Sequence, residues 1–188
     1  MGYKVAELDL LIVPDGAGLD SDHWQARWVR QLRTARTVEV WELAQGGDAA
    51  RTAALARAVA AAERPVMLVG HGLGALAIVK AAPALAGARI AGALLVAPTD
   101  WNLPAISQVL ARAGFPPVSS DPLPFPSLVV ASRNDPLIGF ETAQGFAFDW
   151  GSDFADAGEA GHIDAASGHG PWPEGLLRFG VFLKTLAA

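Results

Sequence analysis

The chain has 188 residues, 52% of them hydrophobic and 18% charged, which provides enough apolar side chain for one substantial core. The net charge of −5 gives no support for a basic, nucleic-acid-binding surface. The absence of cysteine excludes disulfides and thiolate chemistry and favours a cytoplasmic protein. We therefore expect one domain over residues 1–188 that takes a small-molecule ligand or substrate, with no nucleic acid and no membrane. Any protein partner stays undetermined.

Short apolar runs without alternation predict strands that are buried on both faces of a parallel sheet. In chain order they are Leu8–Val13, the weaker run Thr37–Trp41, Val66–Val69, Ile90–Ala97 and Leu128–Ser132. Helices are predicted between and after them at Ser21–Arg36, Asp48–Glu63, Leu73–Ala82, Pro104–Ala113, Glu141–Trp150 and Pro173–Leu186, with Asp22 and Asp48 as caps. This alternation predicts an α/β fold, a three-layer doubly wound and mostly parallel sheet whose site lies at the carboxyl ends of the strands.

Gly70-His71-Gly72-Leu73-Gly74 follows a predicted strand and opens a predicted helix. This is the setting of a nucleophile elbow, whose pattern is G-x-S-x-G, but Gly72 stands where the serine would be. A second interpretation is a glycine-rich turn that cradles a phosphate at the helix N-terminus. The glycine pattern by itself supports both interpretations equally.

Two residues further along favour the elbow. Asp135 lies just beyond the strand at Leu128–Ser132, and His162 lies in a later loop bounded by glycine. Alone, each has a simpler explanation, an Asp-Pro turn and an ordinary loop histidine. Together they give the order elbow, acid, histidine that is found in α/β hydrolases, with Asp135 orienting the imidazole of His162.

Several segments along the chain resemble the small serine hydrolases of the retinoblastoma-binding-protein-9 and YdeN type. They are Leu11–Pro14, Asp22–Trp28, Val69–His71, Val96–Asp100, Ala131–Pro136, Gly158–Gly168 and Gly170–Gly175. The resemblance covers nearly the whole chain and implies a compact α/β-hydrolase fold without a large lid, which acts on esters or amides of small acyl groups. It implies that Asp135 is the acid, His162 the base and Gly72 the nucleophile position.

The chain departs from that family at two positions. Gly72 has no side chain to attack a carbonyl. Asp15 stands in the predicted oxyanion loop, in place of an expected glycine and next to Gly16. Its carboxylate either points into the oxyanion hole, where it would oppose developing negative charge, or points outwards and caps the helix. We expect Gly72→Ser to restore partial esterase activity, and more activity when Asp15→Gly is added.

The remaining candidates are assigned lesser roles. Leu73 is expected at the oxyanion hole and pocket, His71 beneath the turn, and Trp101 on the pocket wall. Ser107, Ser132 and Ser167 do not lie on an elbow and are expected to be structural. The spacing of the four histidines predicts no metal site, and no cofactor is implied.

Three functions follow from these residues. The first is a serine hydrolase family member that is inactive or very weak in the classical reaction. The second is a non-catalytic pseudoenzyme that binds a small ligand, in which the vacated elbow enlarges an apolar pocket. The third is repurposed general-base chemistry by His162 and Asp135, with or without help from Asp15, and without a covalent intermediate.

Overall fold

One parallel sheet carries the site at its carboxyl edge. A computed structural model describes residues 2–16, 19–41, 47–112 and 114–186. Within these ranges the strands are β1 (Asp9–Val13), β2 (Ala35–Thr37), β3 (Val66–His71), β4 (Ile90–Val96), β5 (Ser127–Ala131) and β6 (Asp153–Asp156). Their order is β2-β1-β3-β4-β5-β6, and every neighbouring pair is parallel. The predicted parallel α/β sheet is confirmed.

The helices alternate with the strands along the chain. They are α1 (Trp24–Gln31), α2 (Gly47–Ala60), α3 (Leu73–Ala81), α4 (Pro104–Arg112), α5 (Phe140–Asp149) and α6 (Pro173–Thr185), with short 3₁₀ turns at Val5–Glu7 and Ala82–Leu85. No helix in the described ranges is long and apolar enough to cross a membrane.

Alternate residues of the central strands face two separate hydrophobic clusters. Leu11 packs into the cluster that contains residues of α2 to α5, whereas Leu10 packs into the cluster that contains Trp24 of α1 and Phe179 of α6. Both leucines are fully buried, as a strand covered on both faces requires. Helices on both faces make the sheet doubly wound, as predicted.

The predicted boundaries are wrong at the start of the chain. The first helix ends at Gln31, and residues 35–37 form β2 because they pair with Leu10 to Ile12 of β1. The strand predicted at Thr37–Trp41 is therefore displaced towards the N-terminus. His23, not Asp22, caps α1, because its Nδ1 accepts the N–H of Gln25 at 3.2 Å.

One further prediction needs correction, and one strand was not predicted. Asp48 lies inside the first turn of α2, which begins at Gly47, so it does not precede the helix. Strand β6 was not predicted, because it begins and ends with aspartates and lies at the sheet edge with only partial burial. Parallel backbone pairing with β5 holds β6 in the sheet, and its weak apolar pattern does not indicate this pairing.

Candidate active site

The sharp turn between β3 and α3 has the geometry of an elbow. Gly72 has φ 53° and ψ −121°, a left-handed conformation that glycine adopts without the usual steric penalty. A Cβ on Gly70 would approach the backbone of Ala75 to 2.7 Å, and a Cβ on Gly74 would overlap the carbonyl oxygen of Val13. The flanking glycines are thus required by close backbone contacts, and the chain emerges at the carboxyl end of β3.

Asp135 and His162 meet at the same edge of the sheet. Asp135 follows β5, His162 follows β6, and the imidazole Nδ1–H donates to the Asp135 carboxylate with both oxygens at 3.0 Å. The Asp135 side chain is fully buried and also accepts the N–H of Leu137 at 2.8 Å. The carboxylate therefore fixes the orientation of the imidazole and leaves Nε2 facing the elbow.

Asp15 fills the space above Gly72. Its Oδ1 accepts the N–H of Leu73 at 2.5 Å, and its Oδ2 lies 3.6 Å from Nε2 of His162, a distance longer than a hydrogen bond. A Cβ on Gly72 would overlap Oδ1 and Cγ of Asp15. The Asp15 carboxylate therefore caps α3 and points into the oxyanion hole at the same time. The N–H of Leu73 that it accepts is also the donor expected at the oxyanion hole.

The carboxylates on both sides of His162 control its charge. Burial by itself would lower the pKa of His162, but its contacts with Asp135 and Asp15 outweigh burial and raise this pKa to about 9. His71 responds in the opposite direction, because burial lowers the pKa of its imidazole. At neutral pH and without a bound ligand, His162 is therefore a cation between two carboxylates, and His71 is neutral.

The sequence pattern of one family extends over almost the whole chain. Residues 10–180 match the Serine hydrolase family. The chain belongs to the serine hydrolase family. The resemblance inferred from the sequence motifs is therefore confirmed. A comparison with curated proteins gave no match.

Solved structures with this fold include hydrolases from several bacteria. A YdeN-like hydrolase from Pectobacterium atrosepticum is 35% identical, with 95% of this chain and 92% of that one covered and a TM-score of 0.79. The ydeN gene product of B. subtilis is 17% identical, with 94% and 99% covered and a TM-score of 0.70. The RedJ thioesterase of Streptomyces coelicolor is also 17% identical, with 94% and 91% covered and a TM-score of 0.67. The latter two show the shared fold alone.

In this serine hydrolase family member, the loop that carries His162 is held from below by two buried side chains. His71 Nε2–H donates to the carbonyl of His162 at 2.8 Å, and Trp24 Nε1–H donates to the carbonyl of Ile163 at 2.9 Å. Ile163 has φ 53°, an unusual conformation for a β-branched residue. Trp24 also packs in the hydrophobic core beside α6, where it is fully buried. A buried indole N–H needs an acceptor, which is the signal that pointed to this second role.

The fold also assembles a set of donors that the histidine spacing did not predict. Asp15, His71 and His162 each offer one ligand atom, and these atoms lie within 4.8 Å of one another. The sequence prediction considered only the spacing of the four histidines along the chain. Here the three residues come from three different loops or strand ends, which only the sheet brings together.

A small cavity lies beside the elbow. It has a volume of about 250 Å³ and its lining includes Asp15, Gly16, His23 and His71. Trp101 does not line it, contrary to the prediction. Trp101 instead stacks on Phe146 with ring centroids 4.3 Å apart and lines a separate cavity of about 140 Å³. Although Trp101 follows the end of β4 closely, its indole packs against Phe146 of α5 and does not line the cavity beside the elbow.

The three serines considered as substitutes for the nucleophile are bonded locally. Ser132 Oγ donates to Asn134 Oδ1 at 2.8 Å, Ser167 Oγ donates to Asp164 Oδ1 at 2.7 Å, and Ser107 Oγ donates to the carbonyl of Pro104 at 3.2 Å. Within the described residues, the hydrogen bonds of the His162 imidazole go to Asp135 and to none of these serines. These contacts fit the structural roles expected for them.

Alanine at Gly74 should strongly destabilise the protein. Its Cβ would overlap the carbonyl of Val13, and neither backbone can retreat without breaking the β1 and α3 packing. We expect a loss of at least about 2 kcal/mol in the free energy of unfolding, measured in urea. Gly145→Ala is the matched control: it lies in α5 with open space around its Cβ, and should be neutral or stabilising by up to about 1 kcal/mol. Equal stability of the two variants would contradict the close approach at the elbow.

Proposed function

We propose that this serine hydrolase family member is inactive, or very weak, as an esterase that works through a serine acyl-enzyme. The observation that carries this proposal is the position of the Asp15 carboxylate, which occupies the space of the serine side chain above Gly72. Gly72 offers no oxygen to attack a carbonyl, so no acyl-enzyme can form at this position.

The Asp15 carboxylate also blocks stabilisation of the negative charge that develops on the substrate oxygen in the transition state. In acyl transfer the N–H after the nucleophile donates to the oxygen that becomes negative in the transition state. Here Leu73 donates that N–H to Asp15 at 2.5 Å. A substrate carbonyl would have to displace a carboxylate to reach this donor, which weakens any residual catalysis by the oxyanion hole.

A small-molecule ligand remains the expected occupant. The cavity of about 250 Å³ beside Asp15 has polar and histidine side chains in its lining, which suits a small polar ligand better than a long acyl chain. A larger cavity of about 630 Å³ lies between β6 and α6, and its lining contains none of Asp15, Asp135 and His162. The cytoplasmic location and the absence of nucleic-acid partners stay predictions.

Serine-directed reagents test this proposal. The parent protein should show no stoichiometric adduct with a fluorophosphonate by intact mass. It should also hydrolyse 4-nitrophenyl acetate no faster than His162→Gln, because nonspecific surface hydrolysis does not need the triad. A stoichiometric adduct on Ser132, Ser167 or another residue would overturn the proposal. An ester hydrolysis rate more than about tenfold above that of His162→Gln, and abolished by the fluorophosphonate, would overturn it as well.

A further inference from the structure

Two buried imidazole nitrogens at the elbow have no hydrogen-bond partner. They are Nδ1 of His71 and Nε2 of His162, in residues that are 1% and 6% exposed. Buried polar atoms in native proteins nearly always have a partner, so two unpartnered nitrogens in one site need an explanation. Beside them lies the Asp15 carboxylate, whose side chain is 37% exposed.

The other polar atom of each of these groups is already bonded. His71 Nε2–H donates to the carbonyl of His162, His162 Nδ1–H donates to Asp135, and Asp15 Oδ1 accepts from Leu73. In metal sites a ligating histidine commonly donates its second ring N–H to a carbonyl or a carboxylate, and this bond fixes the tautomer and the ring orientation. The outer hydrogen bonds of such a site are therefore complete here, and each group retains one further ligand atom, which on His162 is Nε2 once a metal ion has displaced its proton.

We propose that Asp15, His71 and His162 bind a zinc ion and leave a fourth position open to water. Two imidazoles and one carboxylate are a donor set of catalytic zinc sites, whereas magnesium and calcium prefer oxygen ligands. Asp15 Oδ2 and His162 Nε2 are 3.6 Å apart, close to the roughly 3.4 Å between two ligands on tetrahedral zinc with bonds of about 2.0–2.2 Å.

Access and charge are compatible with this assignment. The cavity of about 250 Å³ that Asp15 and His71 line is partly open to solvent and provides an entry path. Asp135 and Asp15 place two carboxylates around His162, and a divalent cation replaces the proton that they otherwise hold there. The site would thus give a chain without a nucleophilic serine a resident Lewis acid, which goes beyond the proposed loss of the serine reaction.

Zinc alone is the probe, so the result is independent of whether esters are hydrolysed. Metal-stripped protein is titrated with Zn²⁺ against a chromophoric chelator, and one equivalent should bind. Asp15→Asn and His162→Gln should each weaken binding by at least about 10-fold, since even outer-shell changes cost 10–100-fold. His169→Gln, which alters a histidine outside the donor set, should bind like the parent.

Zinc-edge X-ray absorption of the parent protein keeps the test decisive if a variant fails to fold. It should show two imidazole nitrogens at about 2.0–2.1 Å and one carboxylate oxygen at about 2.0–2.2 Å. Absence of stoichiometric binding would overturn the proposal. So would zinc with fewer than two imidazole ligands, or an affinity that Asp15→Asn and His162→Gln leave unchanged in folded protein, since the ion would then be adventitious.

Discussion

The double variant Asp15→Gly with Gly72→Ser is expected to hydrolyse short aryl esters and to react stoichiometrically with a fluorophosphonate. Removing the Asp15 carboxylate frees the N–H of Leu73 and empties the space in which a serine side chain fits. The new hydroxyl then enters the space of the Asp15 carboxylate, whose Oδ2 now lies 3.6 Å from His162 Nε2. With Asp135 behind the imidazole, nucleophile, base and acid would all be in place.

Each single variant should stay near background. Gly72→Ser alone places its Cβ on the Asp15 carboxylate, so the structure reverses the sequence-based expectation of partial rescue. Asp15→Gly alone frees the oxyanion donor but supplies no nucleophile. We expect the double variant to exceed either single variant by at least about 10²–10³-fold in kcat/KM on 4-nitrophenyl acetate, since one oxyanion donor alone is worth this much.

Asp135→Asn in the double-variant background is the control for the triad. It should lower kcat by up to about 10⁴-fold, because an amide cannot hold the imidazole in the required tautomer. A folded double variant that remains at background on a range of short esters would show that the remaining site no longer supports hydrolysis. The ligand-binding alternative would then be the better description of the protein.

Asp135→Ala should cause one of the largest losses of stability in the chain. The Asp135 side chain is fully buried, holds His162 with two contacts at 3.0 Å and accepts the N–H of Leu137. Its removal leaves a buried imidazole N–H and a backbone N–H without acceptors. Breaking a buried pair in this way costs about 3–5 kcal/mol, which should appear as a lower urea midpoint at pH 7.

The matched control is Asp156→Ala, which removes the ion pair with Arg133 and the hydrogen bond that Asp156 Oδ1 accepts from the N–H of Gly158 at 2.7 Å. Asp156 accepts from Nε and Nη2 of Arg133 at 2.8 and 2.5 Å, and the side chains of Arg133 and Asp156 are 63% and 32% exposed. Solvent screens such a pair, so the loss should be much smaller than for Asp135→Ala and should shrink further in high salt. Similar losses for the two variants would contradict the assignment of Asp135 as the buried anchor of His162.

The sequence was sufficient for the fold wherever a local pattern carried the information. Strands β3, β4 and β5 are continuous apolar runs, and buried parallel strands have this pattern because both of their faces are covered. Strands β2 and β6 lie at the two edges of the sheet and are only partly buried. Their positions depend on backbone pairing with β1 and β5, which leaves little trace in side-chain polarity.

The sequence by itself also determined the order of elbow, acid and histidine and the absence of a nucleophile at Gly72. Only the tertiary structure decided that the Asp15 carboxylate occupies the space of the missing serine side chain. Asp15 and Gly72 lie in separate loops, and they meet because β1 and β3 are adjacent and parallel, so both loops emerge at one edge. The same sheet brings His71 against His162, although they are 91 residues apart. Burial, hydrogen-bond partners and charge at this site arise from contacts between distant segments, which no local pattern encodes.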